Sequence, residues 1–148
     1  MKSEHEIEIL LVEDNPNDVE LTLHTLEKHK FANLLHVVRD GEEALDFLFC
    51  RGLYERRHPN HSPKVVLLDL KLPKVDGLEV LRQIRANEQT RRLPVVIMTS
   101  SREERDVIES YKLGVNSYIV KPVDFEQFSE AVRQVGCYWL LLNQPPRL

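Results

Sequence analysis

Short apolar runs recur along the chain, each followed by a stretch whose apolar residues fall at helical spacing. Ile7 to Val12 is the first run and stops at Glu13 and Asp14. Asn17 to Lys30 follows, with Val19, Leu23 and Leu26 on one helical face, and Asn15-Pro16-Asn17 supplies the helix start. Leu34 to Val38 is a weaker second strand. A helix begins at Asp40-Gly41 and carries Ala44, Leu45 and Leu48. Residues 51–64 are polar, hold two prolines and read as a loop. Val65 to Leu68 is the third strand, and Leu78, Leu81 and Ile84 mark the third helix. Pro94 to Met98 is the fourth strand, Glu103 to Leu113 the fourth helix with Gly114 ending it, and Tyr118 to Val120 the fifth strand. A last helix is expected from Asp124 to about Leu142.

Strand and helix thus alternate five times. Apolar, β-branched strands between amphipathic helices predict a parallel sheet covered on both faces, with right-handed crossovers. Function in such folds collects at the carboxyl ends of the strands. There the chain places Glu13 and Asp14, Asp69, Thr99 and Ser100, and Lys121 and Pro122. Asp69 lies inside a run, VVLLDL, that otherwise avoids water, so its charge needs a partner or a task. Three clustered acids repel unless a cation sits among them. Such a hard oxygen cluster suits Mg2+, which takes one or two carboxylates and keeps several waters. With a lysine and a hydroxyl beside it, the set is suited to receiving a phosphoryl group on Asp69.

Bulk properties narrow the setting without changing this reading. The 148 residues suffice for one domain with a real core. Hydrophobic content of 42% and charged content of 30% are a globular balance. A net charge of −4 implies no general affinity for nucleic acid or membrane. No secretory signal opens the chain, no apolar run is long enough to span a bilayer, and Cys50 and Cys137 are too few for a disulfide framework. A reduced, cytoplasmic protein is expected. Both cysteines are expected in helical segments as small core residues. His58 and His61 are three apart on the polar loop and are expected to be solvated.

Glu13-Asp14, Asp69, Thr99 and Lys121-Pro122, in this order on successive strand ends, resemble the receiver domain of two-component response regulators. The resemblance covers nearly the whole chain and implies a flavodoxin-like (βα)5 fold, a five-stranded parallel sheet of order 2-1-3-4-5. It implies phosphotransfer from a histidine kinase to Asp69, a phosphoacceptor role that is not that of an enzyme. It implies Mg2+ held by Asp14, Asp69 and the backbone carbonyl of Lys71, with Glu13 acting through water. Thr99, Ser100 and Lys121 would bind the phosphoryl group, Tyr118 would be the aromatic switch residue, and the bond before Pro122 would be cis. The surface that switches would be the fourth helix, the fifth strand and the last helix. The kinase would dock on the first helix, around Asp18 to Leu23, and on the loop at Pro122 and Val123.

The last helix carries a second signal. Phe125, Phe128, Val132, Val135, Trp139 and Leu142 repeat at spacings of three and four over roughly 27 Å of helix. Phe128, Val132, Val135, Tyr138, Trp139 and Leu142 are accordingly expected to form a dimer surface. With the loop at 51–64, this tail resembles the small single-domain regulators paired with bacterial phytochrome kinases, which associate as dimers. One receiver domain over 1–148 is expected, with no length left for a DNA-binding output domain. Two other readings are weaker. A haloacid-dehalogenase-type hydrolase needs a second acid two residues after the nucleophile, where this chain has Lys71. A phosphorylation-independent binding module would not need the intact acids and lysine.

Overall fold

The computed structural model describes residues 7–31, 34–59 and 61–144. The remaining positions of the expected 1–148 domain lie outside the described residues. The elements are β1 Ile9–Val12, α1 Pro16–Lys28, β2 Leu35–Val38, α2 Gly41–Leu48, β3 Val65–Leu68, α3 Gly77–Ala86, β4 Val95–Thr99, α4 Glu104–Lys112, β5 Ser117–Val120 and α5 Phe125–Cys137. A π-helical turn, Tyr138–Leu142, continues α5. The sheet is parallel throughout, in order β2-β1-β3-β4-β5, as the flavodoxin-like reading requires.

The three inner strands are apolar at every position except Thr99, which ends β4, because both of their faces are covered. Alternate residues go to opposite faces, as pleating dictates. Leu10, Val12, Val66, Leu68, Val95 and Ile97 pack with α2 and α3, through Ala44, Leu45, Phe47, Val80, Leu81 and Ile84. Ile9, Leu11, Val65, Leu67, Val96 and Met98 pack with α1 and α5, through Val19, Leu26, Phe128, Val132 and Val135. A hydrogen bond of 2.5 Å between the Thr25 and Ser129 hydroxyls ties α1 to α5. Asn15, Asp40, Asp76 and Asp124 cap α1, α2, α3 and α5 with their side chains. At α4 the capping residue Glu103 makes no such bond, and Ser110 is the helix's buried residue.

Three expectations change. Phe128, Val132 and Val135 are only 4%, 1% and 7% exposed, so the three-four stripe of α5 faces the protein's own core and cannot be a dimer surface. Amphipathic periodicity is the same whether a helix covers its own sheet or a partner. Trp139 also packs against that core, while Tyr138, Leu141 and Leu142 are exposed. The π turn, closed by Asn143 N–H donating to the Tyr138 carbonyl at 2.7 Å, keeps Trp139 and Leu140 on the core and leaves Leu141 and Leu142 exposed. Second, the Lys121–Pro122 bond is trans, since no described peptide bond is cis. Trans is the lower-energy form by about 0.5–1 kcal/mol for a bond to proline. Third, the cysteines are half-buried, and Cys50 lies past the end of α2 with φ 54° rather than inside the helix.

The first part of the polar loop, residues 52–57, is tied to α2 by specific contacts. It opens with a 3₁₀ turn, Gly52–Tyr54. The Tyr54 hydroxyl donates to Glu43 at 2.6 Å, and the Arg57 guanidinium lies 3.7 Å above the Phe47 ring.

Candidate phosphoacceptor site

Parallel register brings the ends of β1, β3 and β4 to one edge, because Val12 pairs with Leu68 and Leu68 with Ile97. The next residues, Glu13 and Asp69, therefore emerge side by side, with Thr99 at the end of β4. Glu13 and Asp69 are buried and Thr99 is fully so. Asp14 is exposed. Lys121, just beyond β5, reaches back across the sheet edge. Its Nζ donates to Glu13 at 2.6 Å, to Asp18 at 2.7 Å and to Asp69 at 3.0 Å. This answers why Asp69 tolerates its position: the carboxylate is paired and hydrogen-bonded.

The electrostatics follow from burial and these contacts. Burial pushes the Glu13 carboxyl up to about 7, against the opposing hydrogen bond from Lys121. Burial would raise Asp69 as well, but the Thr99 hydroxyl bond and the Lys121 charge outweigh it and hold it below its ordinary value. Burial would lower Lys121, and its bonds to Asp18 and Glu13 overcome that and hold it above the ordinary lysine value. The site therefore presents an ionised Asp69 beside a firmly protonated Lys121.

Glu13, Asp14 and Asp69 each offer a carboxylate oxygen, and these oxygens lie within 4.8 Å of one another. Oxygen-only donors, two of them buried and one open to solvent, fit a hard divalent cation. Among the described residues this is the group of three acidic or imidazole or thiol side chains so placed; His58 and His61 do not belong to one.

The loop after β3 is held tightly against the site. Gly77 N–H donates to the Leu70 carbonyl at 2.9 Å. A Cβ at Gly77 would lie 2.3 Å from the Asp69 carbonyl oxygen, so only glycine permits this approach. Lys71 N–H donates to Asp69 Oδ1 at 3.3 Å, and the Lys71 side chain is exposed. Asp14, Lys71, Asp76, Arg105 and Asp106 line an open cleft of about 470 Å³ above the acids.

The predicted residues Glu13, Asp14, Asp69, Thr99 and Lys121 thus converge. Ser100 is exposed at the start of the loop after β4. Tyr118 is half-buried, its hydroxyl donating to the Ser101 carbonyl at 3.0 Å, with burial raising its pKa. Pro122 is half-buried next to Lys121. Sequence reasoning missed two residues. Asp18, placed only in a docking region, is a Lys121 ligand; its position in the first turn of α1, one helical turn past Asp14, was the available signal. Ser101 joins the Thr99 hydroxyl, Tyr118 and Asp106, and nothing local in the sequence marks it.

A doubly wound sheet of this order, with paired acids, a buried hydroxyl and a lysine at its carboxyl edge, defines a two-component signalling receiver. The chain belongs to the response regulator receiver domain family, whose pattern matches residues 9–133. It is 41% identical over 132 residues to response regulator Rcp1 of Synechocystis sp., covering 89% of this chain and 88% of that one. The Mn(2+)-bound form of Rcp1 superimposes with a TM-score of 0.86 over 94% of this chain and 98% of that one. The bacteriophytochrome response regulator AtBRR is 57% identical, with a TM-score of 0.72 and coverage of 93% and 98%. The probable methanogenesis regulatory protein FilR2 of Methanothrix harundinacea is 40% identical, with coverage of 99% and 92%.

Proposed function

We propose that this chain is a stand-alone response regulator, one receiver domain over 1–148, that accepts a phosphoryl group on Asp69 from a histidine kinase. The observation that carries this is the ionised Asp69 held 3.0 Å from Lys121 at the sheet edge where the buried Thr99 ends β4. An Asp69 carboxylate oxygen attacks phosphorus, the P–N bond of the kinase phosphohistidine breaks, and its electron pair returns to the imidazole nitrogen. A bound Mg2+, held by Asp14, Asp69 and the Lys71 carbonyl with Glu13 acting through water, would neutralise charge on the transferring group. Lys121 moves from the carboxylates to the phosphoryl oxygens, which carry roughly −1.5 to −2 charge. Thr99 turns to the same oxygens with backbone donors at Ser100, and the Tyr118 ring takes the space that Thr99 leaves. The chain acts as a phosphoacceptor rather than as an enzyme on other substrates.

The switched surface is α4, β5 and α5, and the output is a protein contact. No described helix is long and apolar enough to cross a membrane, and we place the protein in the cytoplasm with its kinase. The kinase is assigned to the phytochrome class on the strength of the 57% identity with a bacteriophytochrome response regulator. Intact mass after incubation with acetyl phosphate tests the chemistry. One phosphoryl group should add with Mg2+ and none with a chelator. Absence of any gain would instead favour a phosphorylation-independent binding module. The same readout with a photochromic histidine kinase as donor, in red and far-red light, tests the pathway.

The protein is also proposed to form a homodimer, through the tail rather than the stripe of α5. Tyr138, Leu141 and Leu142 are 48%, 67% and 74% exposed on the π turn, an apolar patch of the kind that marks an interface. The double variant Leu141→Ser/Leu142→Ser should sediment as a monomer where the parent is a dimer. Unchanged sedimentation would remove the tail from the interface.

A further inference from the structure

The two ends of α4 are attached in different ways. The helix has little core of its own: Ser110 is its buried residue, and Ile108 and Tyr111 are exposed. Its position therefore depends on its ends.

The carboxyl end is held by Arg85 of α3. The guanidinium donates to the carbonyls of Leu113 at 3.0 Å and Gly114 at 2.8 Å, the residues that end α4. It also donates to the carbonyls of Leu93 at 2.7 Å and Arg91 at 3.1 Å, in the loop before β4, and to Asn116 Oδ1 at 3.4 Å. Asn116 Oδ1 accepts the Val95 N–H at 2.9 Å, so the cluster is locked to the start of β4. Gly114 has φ 76°, and a Cβ there would lie 3.2 Å from Arg85 Nε. The turn is thus shaped around the guanidinium. One rigid fork bridges three segments through main-chain carbonyls, a geometry that a lysine ammonium cannot reproduce. None of these partners reaches the acid cluster.

The amino end hangs on Ser101. Ser101 Oγ donates to Asp106 Oδ2 at 2.6 Å and accepts the Glu103 N–H at 3.3 Å. Its own N–H donates to Thr99 Oγ1 at 3.4 Å, and its carbonyl accepts the Tyr118 hydroxyl at 3.0 Å. Thr99 in turn ends β4 at the strand edge where Asp69 follows β3, the strand paired with it. Each of these bonds runs through Ser101, two positions from the Thr99 hydroxyl.

We propose that Arg85 is the pivot of the switch: it pins the carboxyl end of α4, so that phosphorylation of Asp69 moves the amino end of the helix alone. This rests on the phosphoacceptor reading above. A helix of nine residues is roughly 13 Å long, so a small rotation about the Arg85 end displaces Arg105 and Asp106, which line the cleft over the site. Arg85 touches neither phosphoryl group nor metal and is a positioning residue.

Amide hydrogen exchange of the full chain, with and without Mg2+ and acetyl phosphate, tests this, with phosphorylation verified by intact mass on the same samples. Exchange over 101–107 should change severalfold on phosphorylation while exchange over 111–116 stays the same. In Arg85→Met, exchange over 111–116 should become phosphorylation-dependent as well, and Arg85→Lys should not restore the parent behaviour. A merely structural arginine would raise exchange over 111–116 equally in both states. A phosphorylated parent chain whose 111–116 amides shift as much as 101–107 overturns the pivot even if Arg85→Met fails to fold. A chain that takes up no phosphoryl group overturns the phosphoacceptor reading itself, and the pivot with it.

Discussion

Asp69→Asn should reduce phosphoryl uptake from acetyl phosphate from one group per chain to none. The carboxamide is nearly the same size and can still accept a hydrogen bond from Lys121, so the fold and the pocket should persist. What it lacks is the anionic oxygen that attacks phosphorus, a role that no neighbour takes over in this geometry. Glu13 is buried against Lys121, with burial pushing its carboxyl up to about 7, and Asp14 is exposed beside the cleft. Intact mass distinguishes the outcomes cleanly. Stoichiometric labelling of Asp69→Asn would sink the assignment and move the acceptor to another side chain. Circular dichroism of the same samples checks that loss of labelling is not loss of fold.

Phe128→Ala should be the most damaging substitution of the apolar stripe on α5. The ring is 4% exposed among Leu11, Val19, Leu67 and Met98, in the layer that joins α1 and α5 to the sheet. Truncating a buried phenylalanine costs about 3–5 kcal/mol, the lost transfer energy plus the cavity left behind. For a chain of this length that lowers Tm by on the order of 10 °C. The loss should be independent of protein concentration, and sedimentation at low temperature should match the parent. If Tm were unchanged and self-association weakened instead, Phe128 would belong to an interface after all. The contrast with Leu141 and Leu142 is the informative part, since those two side chains should affect association and hardly touch Tm.

Much of the protein was legible before folding was considered. Four consecutive apolar residues in each of β1 and β3, helical spacing between the runs, and capping residues at Asn15, Asp40, Asp76 and Asp124 are local facts that dictate local structure. The alternation of these elements then leaves few topologies open. The chemistry was legible too, because residues at the carboxyl ends of parallel strands must meet wherever the strands are adjacent. Glu13, Asp69, Thr99 and Lys121 each follow or end an apolar run, and the sheet order brings them together.

Other features were settled only by packing. The spacing of Phe128, Val132 and Val135 describes an amphipathic helix but not what covers its apolar side, and here the cover is the chain's own sheet. The π turn that redirects Leu141 and Leu142 leaves no mark in the periodicity. Asp18 became a ligand of Lys121, and Ser101 a junction between Thr99, Tyr118 and α4, through contacts between segments distant in sequence. Arg85 reads in the sequence as an ordinary charge near the end of α3, and its carbonyl partners exist only once the turns around it have formed. The division has a physical basis. Backbone propensity and hydrophobic period act over a few residues and are written in the order of the side chains. Which face meets which, and which polar group satisfies a buried carbonyl, depend on the shape that the whole chain makes.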